Sequence, residues 1–187
     1  MVAGLVLLST AVVAEEQKAQ KEQAFDAQVN LGGAYTSIGD YNGEGYQASA
    51  LINYPLVIEE LSFYGRISVQ STHDENDGVK QYLDENELIF GLMYQVNDDI
   101  SLFIEDGDLK QSFETGNELK WKTYMNVSRL GAITKMKGFE ISANLEQREG
   151  EESELGYRTS ISYGDFRLSY TDVGDYQSIG FSFQHRF

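Results

Sequence analysis

QSIGFSFQHRF, residues 177–187, alternates without a break. Ile179, Phe181, Phe183, His185 and Phe187 fall on one side of an extended chain; Ser178, Gly180, Ser182, Gln184 and Arg186 fall on the other. A β-strand sends successive side chains to opposite faces, so this stretch predicts a strand with one apolar and one polar side. The same period of two recurs back to residue 25. Val29, Leu31 and Tyr35 oppose Gln28 and Asn30, and Ala48, Ala50, Ile52 and Tyr54 oppose Gln47, Ser49 and Asn53. Phe63, Ile67 and Val69 oppose Tyr64, Arg66, Ser68 and Gln70, while Leu88, Phe90, Leu92 and Tyr94 oppose Glu87. Ile100, Leu102 and Ile104 oppose Phe103 and Glu105; Phe139, Ile141, Ala143 and Leu145 oppose Glu140, Asn144 and Glu146. Tyr157 and Ile161 oppose Arg158, and Phe166, Leu168 and Tyr170 oppose Arg167.

One segment breaks the rule. Leu119, Trp121, Thr123, Met125 and Val127 share a parity, and the apolar side then passes to Leu130 and Ala132. A β-bulge near Ser128–Arg129 is the expected cause. With it the pattern gives about ten strands and no convincing helix. Eight strands is the competing count, if two of the runs are loops. At roughly ten residues per spanning strand, ten strands leave connections of ordinary length.

Composition narrows the class. The chain has 187 residues, no cysteine and one proline, with Asp and Glu outnumbering Lys and Arg 30 to 14, for a net charge of −16. One domain is expected at this length. A disulfide scaffold and a cysteine-held metal are excluded. So acidic a chain repels nucleic acid and shows no basic patch. Twelve tyrosines and ten phenylalanines argue against acidic disorder. A negative mean hydropathy argues against a helical membrane protein but not against a membrane barrel, where alternate residues alone face lipid.

Residues 2–13, VAGLVLLSTAVV, are too short to span a bilayer and have the length of a signal-peptide core. Val12 and Ala14 suit a cleavage site after Ala14, so residues 1–14 read as a signal peptide, truncated at its start because no Lys or Arg precedes Lys18. Residues 15–24 then form a polar tail, and residues 25–187 the barrel domain. The connections sort into two alternating sets: a brief one at 55–60, 96–99, 134–138 and 163–165, and a mostly longer, acidic one at 37–45, 72–85, 107–118, 149–153 and 173–176. This predicts an up-and-down meander with both termini at the short-turn end and an even strand number.

The last strand carries the most specific signal. An aromatic final residue with apolar residues at every second position before it resembles the assembly signal of bacterial outer-membrane β-barrel proteins. Ser178, Gly180, Phe181, Phe183 and Phe187 match that pattern. His185 departs, standing where a tyrosine or aliphatic residue is usual. The resemblance covers residues 25–187 and names a superfamily, not a subfamily. It implies a closed antiparallel all-β transmembrane barrel in the bacterial outer membrane. The implied partners are lipid, lipopolysaccharide, the barrel assembly machinery and periplasmic chaperones. A soluble, periplasmic lipocalin-like barrel is the alternative. It would bury many tyrosine hydroxyls, and it sits poorly with a polar face rich in Gly, Ser, Asn and Gln but poor in Lys.

Closure in lipid turns the polar side inward. Arg66, Glu87, Glu105, Glu140, Glu146, Arg148, Arg158, Arg167 and Arg186 then share one lumen. Five arginines against four glutamates nearly neutralise, so Arg–Glu networks bridging strands are expected. The implied role is structural, surface-interacting or a narrow porin-like pore. Catalytic chemistry is not expected. His73 and His185 lie far apart, and the omptin-like alternative, with His73, Asp74, Asp77, Asp172 and Asp175 at the rim, lacks the motif spacing. Residues 74–85, DENDGVKQYLDE, miss the calcium-loop spacing, since Gly78 at the sixth place puts His73 at the first. No metal or cofactor site is therefore assigned, and weak divalent-cation binding at acidic external loops is the remaining expectation.

Overall fold

The computed structural model describes residues 25–116 and 118–187. Residues 1–24, expected from the sequence to be a signal peptide and a polar tail, fall outside these described residues. Ten strands follow in order: β1 (Asp26–Ile38), β2 (Tyr41–Pro55), β3 (Leu61–Asn76), β4 (Val79–Gln95), β5 (Ile100–Thr115), β6 (Glu118–Met136), β7 (Phe139–Glu149), β8 (Ser153–Tyr163), β9 (Phe166–Val173) and β10 (Tyr176–Arg186). Each pairs antiparallel with its sequence neighbours, and β1 pairs with β10 from Gln28↔Arg186 to Ile38↔Tyr176. The sheet closes around all ten strands, and β6 runs past the end of β7, so that residues 118–125 pair with β5 alone. The count is ten, not eight.

The sides of the barrel are set by the alternation. Outside, Leu31, Ile52, Ile67, Ile104, Leu130, Leu145 and Phe181 each leave more than half of their surface exposed. In water such side chains would each forgo about 1–2 kcal/mol of burial, and a water-soluble monomer does not carry an apolar belt of this extent. Aromatic residues flank the belt: Tyr54, Tyr94, Tyr163 and Phe166 towards the end that holds the termini, Tyr35, Tyr46 and Tyr157 towards the far end. Inside, Arg129, Arg148 and Glu146 are almost fully buried. Charge within and hydrocarbon without reject the lipocalin-like arrangement.

Two expectations about the path of the chain are corrected. First, β6 has no switch of side at Ser128–Arg129. Trp121, Thr123, Met125, Val127 and Arg129 all point inward, and Leu130 and Ala132 outward, on one continuous alternation. The register shift falls instead between Phe113 and Glu114 of β5, which face Trp121 and Leu119. The apolar run on β6 is core rather than lipid face, because the lumen is not polar throughout.

Second, the connections at the far end are not long loops. Strand pairing continues through 37–45, 72–85 and 107–118: Glu44 faces His73 and His73 faces Tyr82 in register. The acidic residues here stay in the sheet: Glu44, Glu75 and Asp84 point outward, whereas Asp74 and Glu85 point inward. Asp77 and Gly78 make the β3–β4 turn with φ of 52° and 76°, the left-handed pair of a two-residue type I′ hairpin. His73 accordingly lies on a strand. The wall is uneven: β2 to β6 run 15–19 residues and β7 to β10 only 8–11.

Candidate functional site

Adjacent strands hold their partners in direct register, so inward residues of β5, β6 and β7 form a row: Glu105 faces Arg129, and Arg129 faces Glu146. Arg129 uses its whole guanidinium fork. Nε donates to Glu146 Oε2 at 2.6 Å, Nη1 to Glu105 Oε2 at 3.1 Å, and Nη2 to Glu87 Oε1 of β4. One side chain thus links four strands, a task that suits the fixed planar donors of arginine and not the point charge of lysine.

Other cations close the remaining valences. Arg148 Nε donates to Glu146 Oε1 at 2.7 Å, and Arg66 Nη2 to Glu105 Oε2 at 2.9 Å. Arg158 Nε lies 3.3 Å from Glu146 Oε2, within ion-pair reach but without hydrogen-bond alignment. Tyr64 donates its hydroxyl to Glu105 Oε1 at 2.9 Å. The Tyr64 ring has room because residue 91 is glycine: a Cβ there would stand 2.4 Å from the ring. A second knot surrounds Glu85, which accepts from Tyr176, from Gln70 Nε2 at 3.0 Å and from Gln111 Nε2 at 2.7 Å. Arg148 covers the Tyr176 ring at 4.5 Å and joins the two knots.

The nine charged residues picked from the sequence divide unequally. Arg66, Glu87, Glu105, Glu146, Arg148 and Arg158 belong to this network. Arg186 pairs with Glu140 at 3.3 Å near the terminal rim, apart from it. Arg167 meets only a hydroxyl, donating Nη2 to Ser160 Oγ at 3.0 Å. Arg129 and Glu85 escaped the sequence reading. The supposed bulge put Arg129 out of phase, and Glu85 lay in a segment read as loop. Glu85 shares the parity of Glu87, which was read correctly, and Arg129 that of Val127, which was read onto the wrong face.

Above the network the interior turns apolar. Tyr41, Leu83 and Tyr176 pack with Ile38, Phe113 and Trp121 near the far end, and Ile89, Leu109 and Val127 pack with Met125 below them. Phe113 stacks on Trp121 at 5.8 Å and meets Tyr41 edge-on at 5.6 Å. A cavity of about 130 Å³ lies in mid-lumen, and one of about 390 Å³ lies at the terminal end; both are walled by Arg66, Arg158 and Arg167.

On the last strand Ser178, Gly180 and Ser182 face inward and Phe181 and Phe183 outward, with Phe187 exposed past its end. His73 packs against Tyr82 on the outer side of β3, whereas Asp74 points inward and accepts from the backbone of Asn42 and Glu75. The rim constellation of His73 with Asp74 is therefore not assembled. Among the described residues no group of three or more His, Asp or Glu is placed to hold a metal ion.

A closed sheet with an apolar outer belt and an ionic interior defines an integral transmembrane β-barrel of the outer-membrane type, in contact with lipid. No protein-family model matches the chain, and no curated protein matches it. Among solved structures it is similar to Ail, the attachment invasion locus protein of Yersinia pestis, in complex with the heparin analogue sucrose octasulfate (13% identity, 87% of this chain and 99% of that one, TM-score 0.48). It is also similar to the translocator domain of the autotransporter NalP from Neisseria meningitidis (12% identity, 98% and 99%, TM-score 0.41). A third is the KdgM porin in complex with disordered oligogalacturonate (12% identity, 86% and 99%, TM-score 0.43).

Proposed function

We propose that this protein is a closed, non-conducting, non-enzymatic outer-membrane barrel that acts through its outer surface. The observation that carries the proposal is the double obstruction of the lumen: an ionic network at mid-height and an aromatic plug of Tyr41, Leu83, Phe113, Trp121 and Tyr176 towards the far end. A conducting path needs an unbroken polar channel, and the plug offers an ion no ligands in place of its hydration shell. The tall half of the barrel, β2 to β6, then stands out of the membrane as a two-sided sheet carrying Glu44, Glu75, Asp77 and Asp84. At those tips divalent cations would bridge to anionic lipopolysaccharide. The termini lie on the periplasmic side, and β10 is the strand that the assembly machinery and periplasmic chaperones engage through Phe181, Phe183 and Phe187.

Planar-bilayer recording tests the closed state. The wild-type chain gives no discrete conductance steps, and steps that change on Arg158→Ala would show a pore and overturn the reading. Since the chain contains no cysteine, orientation is read by single labels. Lys80→Cys reacts with an impermeant maleimide on intact cells, and Asp98→Cys reacts after permeabilisation alone. The opposite pattern would reverse the proposed orientation.

A further inference from the structure

The lumen holds one cation too many. In its membrane-spanning part Arg66, Arg129, Arg148, Arg158 and Arg167 face Glu85, Glu87, Glu105 and Glu146, five against four; Arg186 and Glu140 cancel as a separate pair. The surplus is not smeared over the network. The four glutamates are taken up by Arg129, Arg148, Arg66, Arg158, Tyr176 and the two glutamines, whereas Arg167 has only the neutral Ser160 hydroxyl and no carboxylate in ion-pair reach among the described residues. Arg158 and Arg66 stand on the same cavity walls, and Arg158 Nε is buried without a hydrogen-bond partner.

We propose that the mid-lumen cavity is an anion site for a small oxyanion of phosphate or sulfate size, held by Arg167 with Arg158 and Arg66. A guanidinium fork matches tetrahedral oxyanions as it matches carboxylate. A cavity of about 130 Å³ admits one such ion, or about four waters at the ~30 Å³ each occupies in the liquid. Ser169, Thr171 and Ser182 supply neutral donors on the same wall. Entry is from the terminal end, because the aromatic plug closes the other. The rim carboxylates Glu59, Glu60, Asp98 and Asp99 slow entry, but they sit in solvent where salt screens them, and the arginines sit deeper where it does not.

The test uses the full chain refolded in a neutral maltoside detergent, titrated with inorganic phosphate and then sulfate, with ionic strength held constant by gluconate, which is too large for the cavity. Unfolding is followed by heat-modifiable gel migration. The wild-type midpoint rises with the logarithm of anion concentration once Kd is passed, by roughly 3–6 °C at a tenfold excess. Arg167→Gln abolishes the rise, and Arg186→Gln at the rim keeps it. In gluconate without phosphate or sulfate Arg167→Gln unfolds at or above the wild-type midpoint, since it removes an unmatched charge. The site is refuted by a flat wild-type titration, by an undiminished rise in Arg167→Gln, or by loss of the rise in Arg186→Gln. Failure of Arg167→Gln to fold, or a midpoint several degrees below wild type in gluconate alone, also refutes it, because Arg167 would then be satisfied within the protein.

Discussion

Replacing Arg129 by glutamine tests the central knot. The side chain is fully buried and touches three carboxylates, so a naive sum of three broken ion pairs would unfold the barrel. The geometry gives a smaller loss. Glu146 keeps Arg148 at 2.7 Å and Arg158 at 3.3 Å. Glu105 keeps Arg66 at 2.9 Å and the Tyr64 hydroxyl. Glu87 alone is left with distant cations, Arg66 at 3.7 Å and Arg158 at 3.8 Å, and the Ser68 hydroxyl at 3.2 Å. The variant therefore carries about one uncompensated buried charge, which costs about 3–5 kcal/mol. Neutralising that same carboxylate should repair it. Arg129→Gln/Glu87→Gln is expected to recover most of the loss, whereas adding Glu105→Gln in place of Glu87→Gln recovers less. The assay is urea-driven unfolding in lipid vesicles, with midpoints compared at equal slope. A loss under about 1 kcal/mol in the single variant, or rescue that is no better at Glu87 than at Glu105, would refute the reasoning.

Three further outcomes follow from the same geometry. Leu31→Arg, in the middle of the apolar belt, costs about 2–4 kcal/mol in the vesicle assay; a water-facing position would register nothing. Arg186→Gln changes stability by under about 1 kcal/mol, because that pair is partly solvent-exposed at the rim. Gly91→Val drives the Tyr64 ring off the β4 backbone and breaks its bond to Glu105, so it destabilises by about 1–3 kcal/mol. Tyr64→Phe, which keeps the ring and loses only the hydroxyl, should cost less than Gly91→Val.

The alternation of residues 25–187 was enough to decide that the chain is a strand meander, which residues lie on each side of every strand but β6, and which side is ionic. Period two is a local property of an extended backbone, so the sequence carries it strand by strand. Closure follows from it, since lipid tolerates no unpaired backbone. The sequence by itself did not settle how far strands run past the membrane. Polar residues on the outer side of 72–85 look like loop residues when read alone, and they are held as strand by hydrogen bonds to a neighbouring strand that only the register supplies. Nor did it settle which carboxylates Arg129 serves, or that Trp121, Met125 and Val127 face an apolar plug and not lipid. Parity tells which residues share a side, whereas the tilt and register of ten strands decide which of them touch. The unmatched position of Arg167 is visible only when those contacts are counted in three dimensions.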